Sequence, residues 1–219
     1  MDGWPPKGRS RRKKPVPRLL IATNNRGKVA EYRVLLADCG WELVTPADLG
    51  LNLDVSEDGA DYAANAAIKA QAFAAAAGLL TLADDSGLEV DALDGRPGPF
   101  SARYAGPSQT DQEGVALVLE KMQGVPPEKR GARFRCVIAL AAPNGPVRFC
   151  EGECPGVITD EPRGDNGFGY DPIFFLPERG LTIAELSAEE KNAISHRGRA
   201  ARKACDLLKE MPHEIASSS

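Results

Sequence analysis

The 219-residue sequence contains no apolar run near the ~20 residues that a membrane-spanning helix needs. It has only two histidines, His196 and His213, and five cysteines, Cys39, Cys136, Cys150, Cys154 and Cys205. The cysteines are odd in number and scattered, Cys150 and Cys154 miss the CxxC spacing, and both histidines lie far downstream. That spacing speaks against a zinc site and favours free thiols in a reducing compartment. The basic N-terminal stretch is not followed by the apolar core of a signal peptide, and no internal repeat is present. Together these absences predict a soluble cytoplasmic protein with no membrane association.

What is present is ordinary for a globular chain, 42% hydrophobic and 26% charged. A chain of this length buries roughly 70% of the surface its unfolded form exposes, so its core needs no staples. The net charge of −4 conceals an asymmetry. Residues 1–18 carry seven cations and one anion, which leaves −10 on the rest of the chain. An acidic body is a poor surface for nucleic acid. If it handles phosphates, it does so through a local cluster of cations or a metal. Residues 1–17, rich in Pro, Gly, Ser and basic side chains, read as a disordered tail. Residues 18–211 read as one domain and 212–219 as a flexible end.

The patterning within 18–211 alternates. Short apolar runs at 18–23, 41–45 and 79–83 read as strands, with 88–92 as a possible extension of the sheet. Helical spacing covers 27–37, an alanine-rich stretch at 61–77 closed by Gly78, and 112–122. Residues 132–142 and 147–153 flank Asn144-Gly145 and predict a hairpin. A strand follows at 173–176, then helix over 188–211 with a break at Ser195. Strands interleaved with helices, then a hairpin, predict an α/β fold with a mixed sheet.

Four segments carry chemistry. Thr23-Asn24-Asn25-Arg26-Gly27-Lys28 lies between a strand and a helix, where unpaired N–H groups and a lysine suit a phosphate. It is not a Walker A loop, which places glycine where Ala22 stands and Ser or Thr where Val29 stands. An Asn-capped helix with a surface lysine would account for this segment taken alone. Glu57 and Asp58 stand near the start of the long helix, and Asp84-Asp85-Ser86-Gly87 follows a strand. Carboxylates converging from separate elements hold Mg²⁺ in phosphate chemistry, although Asp and Gly also suit a plain turn. In Asn166-Gly167-Phe168-Gly169-Tyr170-Asp171-Pro172, glycines flank an aromatic that can stack on a base or simply anchor a turn. In Lys191-Asn192-Ala193-Ile194-Ser195-His196-Arg197, Ser195 caps a helix whose first turn then holds His196 and Arg197. Cations are disfavoured at that end of a helix unless an anionic or acceptor-rich partner meets them.

In series, these segments resemble the inosine/xanthosine triphosphate pyrophosphatase family. The resemblance runs from about Leu19 to Leu208 and also takes in Asn65-Ala66, Lys69-Ala70, Pro97-Gly98 and Ser101-Ala102-Arg103-Tyr104-Ala105-Gly106. The sequence departs from the family pattern at Asp58-Gly59-Ala60. The resemblance implies an elongated, two-lobed α/β fold with a central mixed sheet flanked by helices, an active-site cleft between the lobes, and a homodimer. It implies cleavage of ITP, dITP and XTP to the nucleoside monophosphate and pyrophosphate. By the same resemblance, Thr23, Asn24, Asn25, Arg26, Gly27, Lys28 and Lys69 would hold the triphosphate. Glu57, Asp84 and Asp85 would hold Mg²⁺, with Asp85 as proton acceptor, and Ser86 would touch substrate. Phe168, Gly169, Tyr170, Asp171, Lys191, His196 and Arg197 would form the nucleoside side. On physical grounds, a donor such as Arg197 would pair with the oxygen at C6 of the base and be left unpaired against adenine's amino group. Two other readings remain: a nucleotide sensor on the same fold that has lost catalysis, and nucleic-acid binding through the basic tail.

Overall fold

The computed structural model describes residues 16–211. The expected tails fall outside the described residues, apart from Val16 and Pro17.

The chain runs β1 (Arg18–Ile21), α1 (Arg26–Leu35), β2 (Glu42–Val44), α2 (Tyr62–Ala77), β3 (Leu80–Val90), α3 (Asp111–Lys121), β4 (Gly131–Ala141), β5 (Val147–Ile158), β6 (Phe174–Leu176), β7 (Leu181–Thr182), α4 (Ala188–Ile194) and α5 (His196–Glu210). The strands form one seven-stranded sheet in the order β2-β1-β3-β4-β5-β6-β7. β1 pairs in parallel with β2 and β3, and every later pairing is antiparallel. The sheet is therefore mixed, as the pattern predicts.

Local chemistry sets the helix ends. The side chain of Asn25 accepts from the Lys28 N–H at the start of α1, and Asp61 accepts from the Ala64 N–H at the start of α2. Gly78 ends α2 at φ 66°, a left-handed conformation that glycine adopts without a Cβ clash. Ser195 ends α4 and caps α5, which makes the predicted break a tight corner rather than a kink.

The pleat divides the core. Leu19, Ile21, Leu82 and Ile138 face one side, where Tyr32 and Leu36 of α1 and the alanines of α5 pack against them. Leu20, Ala83, Ala139 and Ala141 face the other side, against Ala66, Ala70 and Phe73 of α2. Small residues on both partners let α2 lie close to the sheet. The long strands β3 and β4 then extend into a third cluster with Val118, Met122, Ile173 and Phe174. This cluster is the upper lobe, and the two helix-covered faces form the lower one.

Three expectations change. The strand expected to end at Ala83 continues through Asp84-Asp85-Ser86-Gly87 to Val90, so the acidic pair lies inside a strand. β4 satisfies its backbone throughout, pairing Asp84 with Ile138 and Asp85 with Val137. β5 runs five residues beyond its expected end at Glu153, past Pro155 and Gly156. β6 pairs only with Val157 and Ile158, so β5 has a free outer edge at Pro155, where a strand proline is tolerated. β7, at two residues, is too short for periodicity to reveal. All five cysteines are buried free thiols.

Arg130, which the sequence pattern does not single out, locks the upper lobe. It is buried and donates to the carbonyls of Ile158, Thr159, Met122 and Val125. Its exposed ion-pair partner, Asp160, is 90% accessible and contributes little. Arg130→Leu removes the hydrogen bonds to these four carbonyls and is expected to lower unfolding free energy by about 3 kcal/mol in urea titration. Asp160→Asn is expected to change it by less than about 0.5 kcal/mol. Equal effects would show that the ion pair, not the carbonyl cluster, holds this corner.

Candidate active site

A cleft of about 520 Å³ lies between the lobes. Its lower wall begins where β1 ends. Thr23 Oγ1 accepts from the Asn25 N–H at 3.2 Å, and Asn25 Oδ1 accepts from the Lys28 N–H at 3.0 Å. This double turn sets the N-terminal end of α1 at the cleft. Thr23, Asn24, Asn25 and Lys28 line it, whereas Arg26 is exposed and lies off its wall. Gly27 lies under Phe168, where a Cβ would stand 2.6 Å from the ring carbon Cδ1.

The sheet pleat separates the two aspartates. Asp84 faces the α1 and α5 side and is 2% exposed. Its Oδ2 lies 3.0 Å from Lys28 Nζ and 3.5 Å from Arg197 Nε. Burial pushes its carboxyl up, but the charges of Lys28, Arg197 and Lys69 outweigh burial and hold it well below the usual carboxylate range. Asp85 faces the α2 side. Its Oδ2 accepts from Asn65 Nδ2 at 3.0 Å, and its Oδ1 accepts from the Ser86 N–H. Burial raises its carboxyl against the pull of Lys69, and the nearby charge of Glu57 adds to the rise.

Lys69 sits between these groups, 3.2 Å from Glu57 and donating to the Asp84 carbonyl at 2.7 Å. Glu57 and Asp85 therefore meet at the cleft, and Asp84 does not join them as expected. Among the described residues, no three His, Cys, Asp or Glu side chains form a cluster that could hold a metal by themselves. Asn65 was absent from the expected site. Besides Asp85, it holds the Gly59 N–H at 2.8 Å, which fixes the segment carrying Glu57.

The far wall is built around Phe168. Its N–H donates to Asp171 Oδ2, which also accepts from Lys191 Nζ at 2.5 Å. The Lys191 ammonium stands 4.5 Å from the Phe168 ring centroid, and the Arg197 guanidinium 5.5 Å. Gly169 donates its N–H to Asp111 Oδ2, and the Tyr170 hydroxyl donates to the Ser101 carbonyl at 2.8 Å. His196 stacks on Phe134 with ring centroids 4.8 Å apart. Burial and the neighbouring Arg197 and Lys191 charges hold its pKa well below the ordinary value, so it is neutral at pH 7. Its Nδ1 is buried without a partner among the described residues.

Glu31 joins the two walls and was not foreseen. It lies 2.8 Å from Lys191 Nζ and 2.7 Å from Arg197 Nη1. Burial raises its carboxyl, but Arg197 and Lys191 together bring it below the ordinary value. Its position three residues after Lys28, on the same helix face, was the signal available in the sequence. Arg197 also donates to Ser86 Oγ at 2.8 Å. A guanidinium already bonded to Glu31 and Ser86 and close to Asp84 has less to offer a C6 oxygen than its sequence position suggested.

Comparison with known proteins places this architecture. The Ham1 family model matches residues 19–207. A dITP/XTP pyrophosphatase of Desulforamulus reducens is 51% identical over 194 residues, covering 89% of this chain and 96% of its own. The dITP/XTP pyrophosphatase of Bacillus subtilis is 44% identical, over 86% of this chain and 96% of its own. Among solved structures, a HAM1 protein from Coxiella burnetii superposes with a TM-score of 0.81 at 43% identity, covering 89% of this chain and all of that one. The chain belongs to the Ham1 family.

Proposed function

We propose that the protein hydrolyses non-standard purine nucleoside triphosphates (ITP, dITP, XTP and dXTP) to the monophosphate and pyrophosphate, cleansing the nucleotide pool. One observation carries this reading. Asp85 and Glu57 stand in a cleft between a helix N-terminus flanked by lysines and an aromatic ring bracketed by cations. The relatives described above, named for dITP and XTP, support the same substrate class.

In this reading, the α1 N–H groups, Lys28 and Lys69 bind the phosphate chain, and the Phe168 ring stacks on the base. The neutral His196 and the cations Lys191 and Arg197 lie toward the base edge. Asp85, oriented by Asn65, accepts the proton of the attacking water.

Mg²⁺ is the proposed cofactor, and the residues fit it. Two carboxylates on separate elements face the cleft, and the charge of Glu57 raises the cost of ionising Asp85. Mg²⁺ uses one or two carboxylates and takes its remaining oxygens from water and phosphates. Glu57 and Asp85 would hold it, and when bound it would neutralise charge on the phosphates.

We further propose a cytoplasmic homodimer, as the family resemblance implies. Among the described residues, no helix is long and apolar enough to cross a membrane. A solution mass of two chains by light scattering would support the dimer, and a mass of one would exclude it.

Pyrophosphate release from dITP, XTP, dGTP and dATP, with products identified, tests the activity. Release from dITP and XTP is expected, and it should stop in EDTA and return with Mg²⁺. A buried donor left facing adenine's amino group costs ~1–3 kcal/mol, so kcat/KM for dITP should exceed that for dATP by at least roughly tenfold. Equal rates on dITP and dATP would remove the base selectivity. Glu57→Gln should raise the Mg²⁺ concentration for half-maximal rate by about tenfold. An unchanged Mg²⁺ dependence would remove Glu57 from the metal site.

A further inference from the structure

The charge balance of the cleft singles out one side chain. Five Lys or Arg and five Asp or Glu residues line it. Four of the five cations are already paired. Lys28 is held by Asp84, Lys69 by Glu57, Lys191 by Glu31 and Asp171, and Arg197 by Glu31. Among the described residues, Arg103 alone of the five has no carboxylate partner. A nucleoside triphosphate brings about four negative charges, so an unpaired cation in this cleft has a clear use.

Arg103 is exposed, and the segment that carries it is held in place. Its guanidinium lies 5.2 Å from the ring centroid of Phe100. The 3₁₀ segment that carries it, Gly98–Arg103, is tied to β3. Ser101 Oγ accepts from the Leu88 N–H at 2.9 Å and donates to the Gly98 carbonyl at 2.6 Å. The Ser101 carbonyl accepts from the Tyr170 hydroxyl and from Gln109 Nε2. Gly87 has no Cβ, and one there would collide with the Gly98 carbonyl oxygen, so the loop presses on the strand two residues past Asp85. The next residue, Tyr104, packs on the upper-lobe core. Arg103 thus lines the cleft from the lobe opposite Lys28 and Lys69.

Resting on the pyrophosphatase reading, we propose that Arg103 contacts substrate and grips the pyrophosphate end of the phosphate chain from the upper lobe. The base side already has Phe168, Lys191, His196 and Arg197. The phosphate side has only two lysines and α1, with both lysines shared with carboxylates. A planar guanidinium can bind phosphate oxygens in pairs, which lysine cannot.

The test uses the full chain with Mg²⁺ and the variants Arg103→Ala and Arg103→Lys. The probes are dITP turnover and calorimetric affinities for inorganic pyrophosphate and for IMP. Arg103→Ala is expected to raise KM for dITP and weaken pyrophosphate binding by about tenfold each, with IMP affinity within about twofold of the parent. Arg103→Lys should recover part of the loss. Unchanged pyrophosphate affinity in Arg103→Ala would overturn the assignment, and so would equal weakening of pyrophosphate and IMP, which marks a distorted cleft. Turnover of dITP by the parent tests the underlying reading separately, because the ratio of pyrophosphate to IMP affinity does not depend on catalysis.

Discussion

The carboxylate of Asp84, buried against Lys28 and Arg197, is the constraint on which the site depends. A charge removed from water is costly unless it is paired and hydrogen-bonded. Here the partners come from α1 and α5, so meeting one charge fixes both helices against β3. Arg197 passes the constraint to Glu31, Glu31 to Lys191, and Lys191 to Asp171 and the Phe168 turn. The two walls of the cleft are thus linked by one chain of ion pairs. Coupled charges of this kind hold a geometry more firmly than they add net stability.

The same strand gives the neighbouring aspartate the opposite role. Successive residues of a strand face opposite sides of the sheet, so Asp84 and Asp85 occupy different environments despite their adjacency. Asp84 is ionised and enclosed. Asp85 opens on the cleft, oriented by Asn65, with Glu57 across from it, Lys69 between them and the charge of Lys28 nearby. A carboxylate pair so placed is short of positive charge, and a hard cation with phosphate oxygens would supply it. Arg103 would add a cation from the other lobe, where the phosphate chain leaves the reach of α1.

Much of this was legible in the sequence. The helix at 61–77, the hairpin about Asn144-Gly145 and the corner at Ser195 follow from local patterns of period and capping, and the structure keeps all three. The cleft-lining residues Thr23, Asn24, Asn25 and Lys28, between β1 and α1, and Phe168 to Asp171, before β6, were legible because turns and helix starts have local signatures. The strand through Asp84-Asp85 was not, because two acidic residues break an apolar run that only cross-strand pairing and distant cations make tolerable. Glu31, Asn65 and Arg130 each have a partner 20 or more residues away (Arg197, Asp85 and Ile158), and no local period encodes those contacts.

The division of labour between the paired aspartates is most directly tested by comparing Asp84→Asn and Asp85→Asn for both urea unfolding and dITP turnover. Asp84→Asn should lose about 3 kcal/mol of stability, because it leaves Lys28 and Arg197 without their shared counter-charge. Asp85→Asn should unfold close to the parent yet lose at least about a hundredfold in turnover. An Asp84→Asn protein as stable as the parent, or an Asp85→Asn protein that turns over dITP at the parental rate, would contradict the account.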